Sequence, residues 1–380
     1  MRVRRIRETL DGLSYTLVDD DGQPIPVVSQ FLRYLDARGC SPNTLSAYAY
    51  DLLHFTRFLH EQSWNYDDFT PARSLRFLEY LGNVQGRRPT RSLGPVLATS
   101  AGQPVRRLAP ATVNRALAAV SSFYEYLILS EHCKAGQNPM LKQFDWETVR
   151  VPDRHRPFMA RASRQQPIRR DLRVRTIQRV PRPMEAEHIS RLLEDLKLRR
   201  DKAMILLMLN GGLRPGEVLN LHLEDIQYGR RRIIIRHRTD HPRGVRTKSR
   251  MERVVDLHDD MTLQTLSDYV MHERPTGGIT THAFLLGVRG RRRNEPLSYH
   301  ALVKMFARRC ARLGIRTPWV TPHALRHTHA TTMWDGGMRE LSLQKRLGHA
   351  SPDSTRIYTR VSDSRVVAEY SRVLGQKDAQ

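Results

Sequence analysis

Cysteine is scarce. Cys40, Cys133 and Cys310 are the only three in 380 residues, scattered, odd in number and without metal-ligand spacing. That pattern argues against a disulfide framework and against a cysteine-held metal, and it reads as thiols of a reducing compartment. No apolar run approaches the roughly 18 residues of a membrane span. The N-terminal MRVRRIRETL is basic but lacks the apolar core of a secretory signal. A cytoplasmic protein without a membrane partner is expected. Carboxylates with magnesium-ligand spacing are also missing. Acids are outnumbered overall, 39 against 63 lysines and arginines, for a formal net charge of +24. A charge that large opposes compaction unless an anionic partner offsets it, and nucleic acid is the natural partner.

What is present suits two packed domains, since 39% of the residues are hydrophobic. Residues 1–26 hold two short alternating stretches around Asp19-Asp20-Asp21-Gly22 and suit a hairpin or an arm. From Val27 the apolar period becomes helical through Val28, Phe31, Leu32 and Leu35, and Gly39 follows as a stop. Ser41-Pro42 and Thr70-Pro71 open two further helices. A fourth, about 110–131, turns Val113, Leu117, Val120, Tyr124 and Leu127 inward. Near its start, Thr112, Asn114 and Arg115 either cap and solvate the helix or hold a DNA phosphate. Residues 27–140 thus read as a helical domain, with a basic loop at 82–107.

Between Arg150 and Arg182 stand eleven arginines against Asp153 and Asp171, with prolines at 152, 157, 167 and 181. Like charges repel, so 141–182 reads as an extended basic linker lying along a DNA backbone. Arg169, Arg170, Arg173 and Arg175 are its candidate phosphate contacts. Residues 183–380 read as a second domain, mostly helical with a small antiparallel sheet. Its strands are expected at Arg232–Arg236 and Arg253–Leu257, and Lys248 lies at the hairpin tip between them. An amphipathic segment from Val361 to Leu374 is expected to pack on its own domain or on a neighbour. The expected class is mainly α with a small antiparallel β-sheet, α+β, in two domains.

Six residues form a chemical set: Arg214, Lys248, His323, Arg326, His349 and Tyr358. His323 and Arg326 are three apart and share a helix face. Two arginines can clamp the nonbridging oxygens of a phosphodiester as it becomes pentacoordinate. A lysine can protonate a departing 5′ oxygen, and imidazoles can take a tyrosine proton or bond the phosphate. A tyrosine, with an ordinary pKa near 10, becomes a nucleophile in so cationic a site. His323 and His327 have the i, i+4 spacing of a zinc helix, but no glutamate stands beside His323, so no metal is assigned.

The order of these groups resembles the tyrosine site-specific recombinases of the phage integrase family. Gly211-Gly212-Leu213-Arg214-Pro215-Gly216-Glu217 is similar to the family's first arginine box. Thr247-Lys248 followed by Glu252-Arg253-Val254-Val255 resembles its hairpin lysine, and His323-Ala324-Leu325-Arg326-His327 its His-x-x-Arg box. Leu347-Gly348-His349, with Tyr358 in Ile357-Tyr358-Thr359, resembles its final box. The resemblance implies that the helical domain is a SAM-like core-binding domain and that Glu217 supports Arg214. It implies a two-domain clamp on double-stranded recombination sites and a 3′-phosphotyrosine on Tyr358. It further implies a Holliday junction, no cofactor, and a homotetramer on paired sites, with a monomer or weak oligomer off DNA. Integration, excision or transposition of a mobile element is the expected role. Resolution of chromosome or plasmid dimers, type IB topoisomerase activity and a non-catalytic DNA-binding factor are the alternatives.

Overall fold

The short first turns of the helices carry much of the local logic. The helix α1 (Pro26–Ala37) buries Val28, Phe31, Leu32 and Leu35 and gives way to Gly39 at φ +73°. In α2 (Pro42–Glu61), the Ser41 hydroxyl caps the first turn by accepting from the Thr44 N–H at 3.2 Å. Thr70 caps α3 (Pro71–Asn83) the same way, on the Arg73 N–H. The fourth helix, α4 (Pro110–Leu129), completes the bundle. Phe55 at its centre meets Phe69, Phe77, Phe123 and Tyr124 edge-on, at centroid distances of 4.9 to 6.5 Å.

This is a computed structural model. It describes residues 1–8, 12–85, 96–98, 104–133, 136–144, 168–170, 172–176, 182–247, 252–276, 280–287 and 294–348. The chain divides into two compact units, Met1–Gln178 and Arg179–Gln380. In the first, β1 (Arg2–Glu8) pairs antiparallel with β2 (Gly12–Val18), and Leu17 joins the helical core. The Asp19–Gly22 turn therefore does not close the hairpin; it follows β2 and leads into α1. Two short pairs lie in stretches that read as loop and linker. These are β3 (Val96–Ala98) with β4 (Pro104–Arg106), and β5 (Lys142–Phe144) with β6 (Ile168–Arg170). Leu172 and Val174 pack on the helical core while Arg173 and Arg175 face solvent. Alternation lets one face of a very basic stretch be buried without burying its charges.

In the second unit, seven α-helices flank one sheet among the described residues: α5 (Ala186–Asp195), α6 (Arg199–Asn210), α7 (Pro215–Leu219), α8 (Asp260–Asp268), α9 (Tyr299–Arg312), α10 (Pro322–Asp335) and α11 (Glu340–Leu347). The sheet order is β7 (Ile226–Gln227), β8 (Arg232–Ile235), β9 (Arg253–Asp256), all antiparallel. Helix α6 is apolar around most of its circumference and buries Ala203 through Met208 without a break. Strand β9 alternates strictly, Val255 buried at 1% exposure and Val254 open at 47%. Its alternation also turns Arg253 inward. None of the described helices is long and apolar enough to cross a membrane.

Candidate active site

Glu217 is the centre of the site. It is the third residue of α7, and Pro215 starts that helix with its fixed φ. From that position its carboxylate reaches back, and Oε2 accepts the Arg214 backbone N–H at 2.8 Å. Oε1 accepts from Arg214 Nη1 at 2.7 Å. Arg253 then forks onto both oxygens, Nη1 to Oε1 at 2.9 Å and Nη2 to Oε2 at 2.7 Å. Arg326 Nη1 lies 3.8 Å from Oε2. Glu217 is 1% exposed. Burial alone would push its pKa up, but the Arg253 hydrogen bonds and the charges of Arg253, Arg214 and Arg326 outweigh it and hold the carboxyl at about 2.

The three guanidinium groups also converge on one stretch of main chain. Arg253 Nε donates to the Arg346 carbonyl at 2.9 Å, Arg326 Nη2 to Leu347 at 2.6 Å, and Arg214 Nη2 to Gly348 at 3.1 Å. These are carbonyls at the end of α11, where a helix leaves acceptors without an intrahelical partner. The partial negative charge there favours cations. Arg326 Nη1 further donates to the Gly212 carbonyl at 2.6 Å. Gly212 has φ +65°, and a Cβ on it would stand 2.4 Å from the His329 ring. His329 donates Nδ1–H to the Leu209 carbonyl at 2.8 Å and accepts at Nε2 from Arg346 at 3.0 Å. Its burial and the Arg346 charge hold it neutral, with a pKa of about 4. Gly216 allows the Arg246 carbonyl within 2.9 Å of where a Cβ would be, so the segment that runs into Lys248 lies against α7.

The structure thus brings Arg214, Arg326 and Glu217 together. His323 is exposed one turn before Arg326 on α10. His327 is partly buried, and burial with the neighbouring His323 and Arg326 charges lowers its pKa to about 4. Lys248, His349 and Tyr358 lie outside the described residues. In the first unit Thr112 is half-buried near the start of α4. The Asn114 amide accepts from the Val174 N–H and donates to the Val174 carbonyl, both at 2.9 Å. Arg115 forks onto the buried Asp51 at 2.8 and 2.9 Å. Those two side chains tie distant segments of the unit together, and neither caps α4, whose N-cap is Ala109 without a side-chain hydrogen bond. Of Arg169 and Arg170 the backbone pairing in β6 is described; Arg173 and Arg175 are exposed.

Sequence reasoning missed Arg253, Arg346 and the role of His329. A signal for the first was available: Arg253 is in phase with Val255 and Leu257 on a strand's apolar face, and a charge there needs a partner. A second titratable cluster was also missed. His222, His241 and His282 are each under 10% exposed, with ring centroids 4.4 Å (His222 to His282) and 4.7 Å (His241 to His282) apart. The Nε2 atom of each is buried without a hydrogen-bond partner.

A helical unit is thus followed by a mixed unit in which three arginines share one buried carboxylate. The fold agrees with solved structures. The site-specific recombinase XerH bound to its difH substrate is 17% identical with a TM-score of 0.59, over 90% of this chain and 84% of that one. A Tn1549 transposon integrase in complex with a circular intermediate DNA is 16% identical with a TM-score of 0.58, over 91% of this chain and 99% of that one.

The chain belongs to the phage integrase family: residues 182–365 match the Phage integrase family, and residues 28–99 match the Phage integrase N-terminal SAM-like domain. It is accordingly an enzyme of DNA strand breakage and rejoining. Transposase A from transposon Tn554 of Staphylococcus aureus is 28% identical over 380 residues, covering all of this chain and 99% of the relative. The tyrosine recombinase XerC of Caldanaerobacter subterraneus is 27% identical over 343 residues, 90% of this chain and 84% of its own.

Proposed function

We propose that this enzyme recombines specific DNA sites for a mobile element, with Tyr358 as its nucleophile. The phenolic oxygen attacks the scissile phosphorus while the bond from phosphorus to the 5′ oxygen breaks. The DNA is left with a 3′-phosphotyrosine and a free 5′ hydroxyl. Lys248 gives that oxygen its proton, and His323 and His349 take the tyrosine proton or bond the phosphate. Arg214 and Arg326 hold the nonbridging oxygens. Arg214 is the more open of the two, its side chain 17% exposed against 3% for Arg326. The phosphotyrosine keeps the energy of the broken bond, so the 5′ hydroxyl of a partner strand can reverse the attack without ATP. Four protomers on two duplexes, each gripping DNA between a helical domain and a catalytic domain, complete the exchange through a Holliday junction. Arg173 and Arg175 follow the DNA backbone.

One observation carries the chemistry. Three guanidinium groups share a single buried carboxylate, so the cluster retains positive charge for an anion. Support for the mobile-element role comes from the Tn554 transposase A match, which runs the whole length of the chain. The test is a nicked suicide duplex carrying the DNA that flanks the coding region, incubated with the full chain. A covalent protein–DNA adduct is expected, absent from Tyr358→Phe. An adduct that survives Tyr358→Phe would refute the assignment of the nucleophile. Absence of any adduct with the unaltered chain, despite tight binding, would favour a DNA-binding factor.

A further inference from the structure

Arg253 is the one arginine of the cluster to which the motifs assign no part, and it is 9% exposed. Nε, Nη1 and Nη2 of its guanidinium each have an acceptor inside the protein: the Arg346 carbonyl and the two oxygens of Glu217. Three of its five N–H groups are thus turned into the protein. Its bonds join three segments far apart in sequence. Through Glu217 it reaches the first arginine box, which positions Arg214. In sequence it stands five residues after Lys248, and Arg346, whose carbonyl it holds, stands three residues before His349.

We infer that Arg253 is a positioning residue for strand cleavage, a strut that fixes the Arg214 helix, the strand following Lys248 and the turn leading into His349 relative to one another. Glycine at 348 fits this role. Gly348 takes φ +63°, and a Cβ there would lie 2.7 Å from Arg253 Nη1, so the guanidinium passes directly beneath the turn. Packing alone is a poor reason for the residue. An apolar side chain in phase with Val255 would fill the same face without a desolvation cost, and such replacements of buried ion pairs are often neutral for stability. Lysine is not a conservative replacement, because its compact tetrahedral ammonium lacks the planar fork that meets both carboxylate oxygens and the separate Nε–H that reaches the carbonyl. The inference rests on the site reading given above, with Lys248 and His349 as working parts.

The test compares the unaltered chain with Arg253→Lys, Arg253→Met and Val255→Ala, the last a loss of core packing on the same strand face. Melting temperature, affinity for the nicked duplex of flanking DNA and the single-turnover rate of adduct formation are measured where every variant is folded. Both Arg253 variants should lower the adduct rate about 10²-fold, the loss typical of a small misplacement of reacting groups. Affinity for the duplex should stay within about twofold, and Val255→Ala should keep its rate within about threefold whatever its melting temperature. An Arg253 variant cleaving within about threefold of the unaltered chain, or a Val255→Ala loss in step with the Arg253 variants, overturns the strut. Should the unaltered chain form no adduct, the site reading fails, and the strut is judged by hydrogen exchange at the Leu347 and Gly348 amides. Arg253→Met must then speed that exchange at least about tenfold over Val255→Ala, and unchanged exchange refutes it.

Discussion

Replacing Glu217 by glutamine keeps the shape of the side chain and removes its charge. The carboxylate accepts four N–H groups, two on each oxygen, from Arg214 and Arg253. In Glu217→Gln one oxygen becomes an NH2, so two of those donors face a donor. The guanidinium groups of Arg214, Arg253 and Arg326 also lose the carboxylate they share. Breaking a buried pair from one side costs about 3–5 kcal/mol. The pKa gives a similar figure by another route, because a carboxyl held at about 2 rather than 4.5 corresponds to about 3 kcal/mol at neutral pH. For a unit the size of Arg179–Gln380, that amounts to a fall in melting temperature of about 10 °C. The sign with pH follows from the depressed pKa. The unaltered protein has the full benefit above pH 4.5 and loses it as pH falls toward 2, while the glutamine variant has none to lose. Circular dichroism melts of both proteins at pH 7, with urea titrations from pH 7 down to 3, read the difference. A stability loss below about 1 kcal/mol at pH 7, or a gap between the two proteins that widens in acid, would refute the picture of Glu217 as the hub.

Two further outcomes are expected. Burial, with the charges of the neighbouring histidines and arginines, holds His241 and His282 at about 4 and lowers His222, against the partial pull of Asp240, Asp225 and Glu224 and with Arg238, Arg243 and Arg274 facing the cluster. The unfolded chain therefore takes up protons first, and stability present above pH 6.5 should drain between pH 6.5 and 4. His282→Gln should flatten that dependence in urea titrations, and an unchanged slope would show that the cluster does not set it. For the basic stretch, changing Arg173 and Arg175 together to serine should reduce the slope of log K against log salt by about two for the flanking duplex, roughly one for each phosphate no longer neutralised. Equal slopes in the two proteins would remove these residues from the DNA backbone.

Local signals were legible in the sequence where the physics is local. Ser41-Pro42 and Thr70-Pro71 announced helix starts, and both hydroxyls cap as such residues should. The apolar alternation around Val255 announced a strand, and the Arg-Pro-Gly-Glu box placed Arg214 and Glu217 one turn apart. Partnerships across long separations were not legible. Arg253 meets Glu217 from 36 residues away, and Asn114 meets Val174 from 60. The two-residue strand Ile226–Gln227 is too short to show a period. The acceptors at Arg346, Leu347 and Gly348 are backbone carbonyls, which every residue possesses, so the side chains of that box do not show what its carbonyls hold.

That last feature bears on how such an enzyme tolerates drift. Where a cation is held by side chains, each partner is a letter that selection must guard, and a missing letter shows in the sequence. Here the three arginines grip the bend of a chain, and the bend is indifferent to most of the side chains hung upon it. Leu347 answers to the core it packs in, not to the guanidinium on its carbonyl. Gly348 alone is answerable to the grip itself, since only a residue without a Cβ can turn there with Arg253 beneath it. A distant homologue could therefore keep these three grips with another apolar residue in place of Leu347, provided the chain still turned at one glycine.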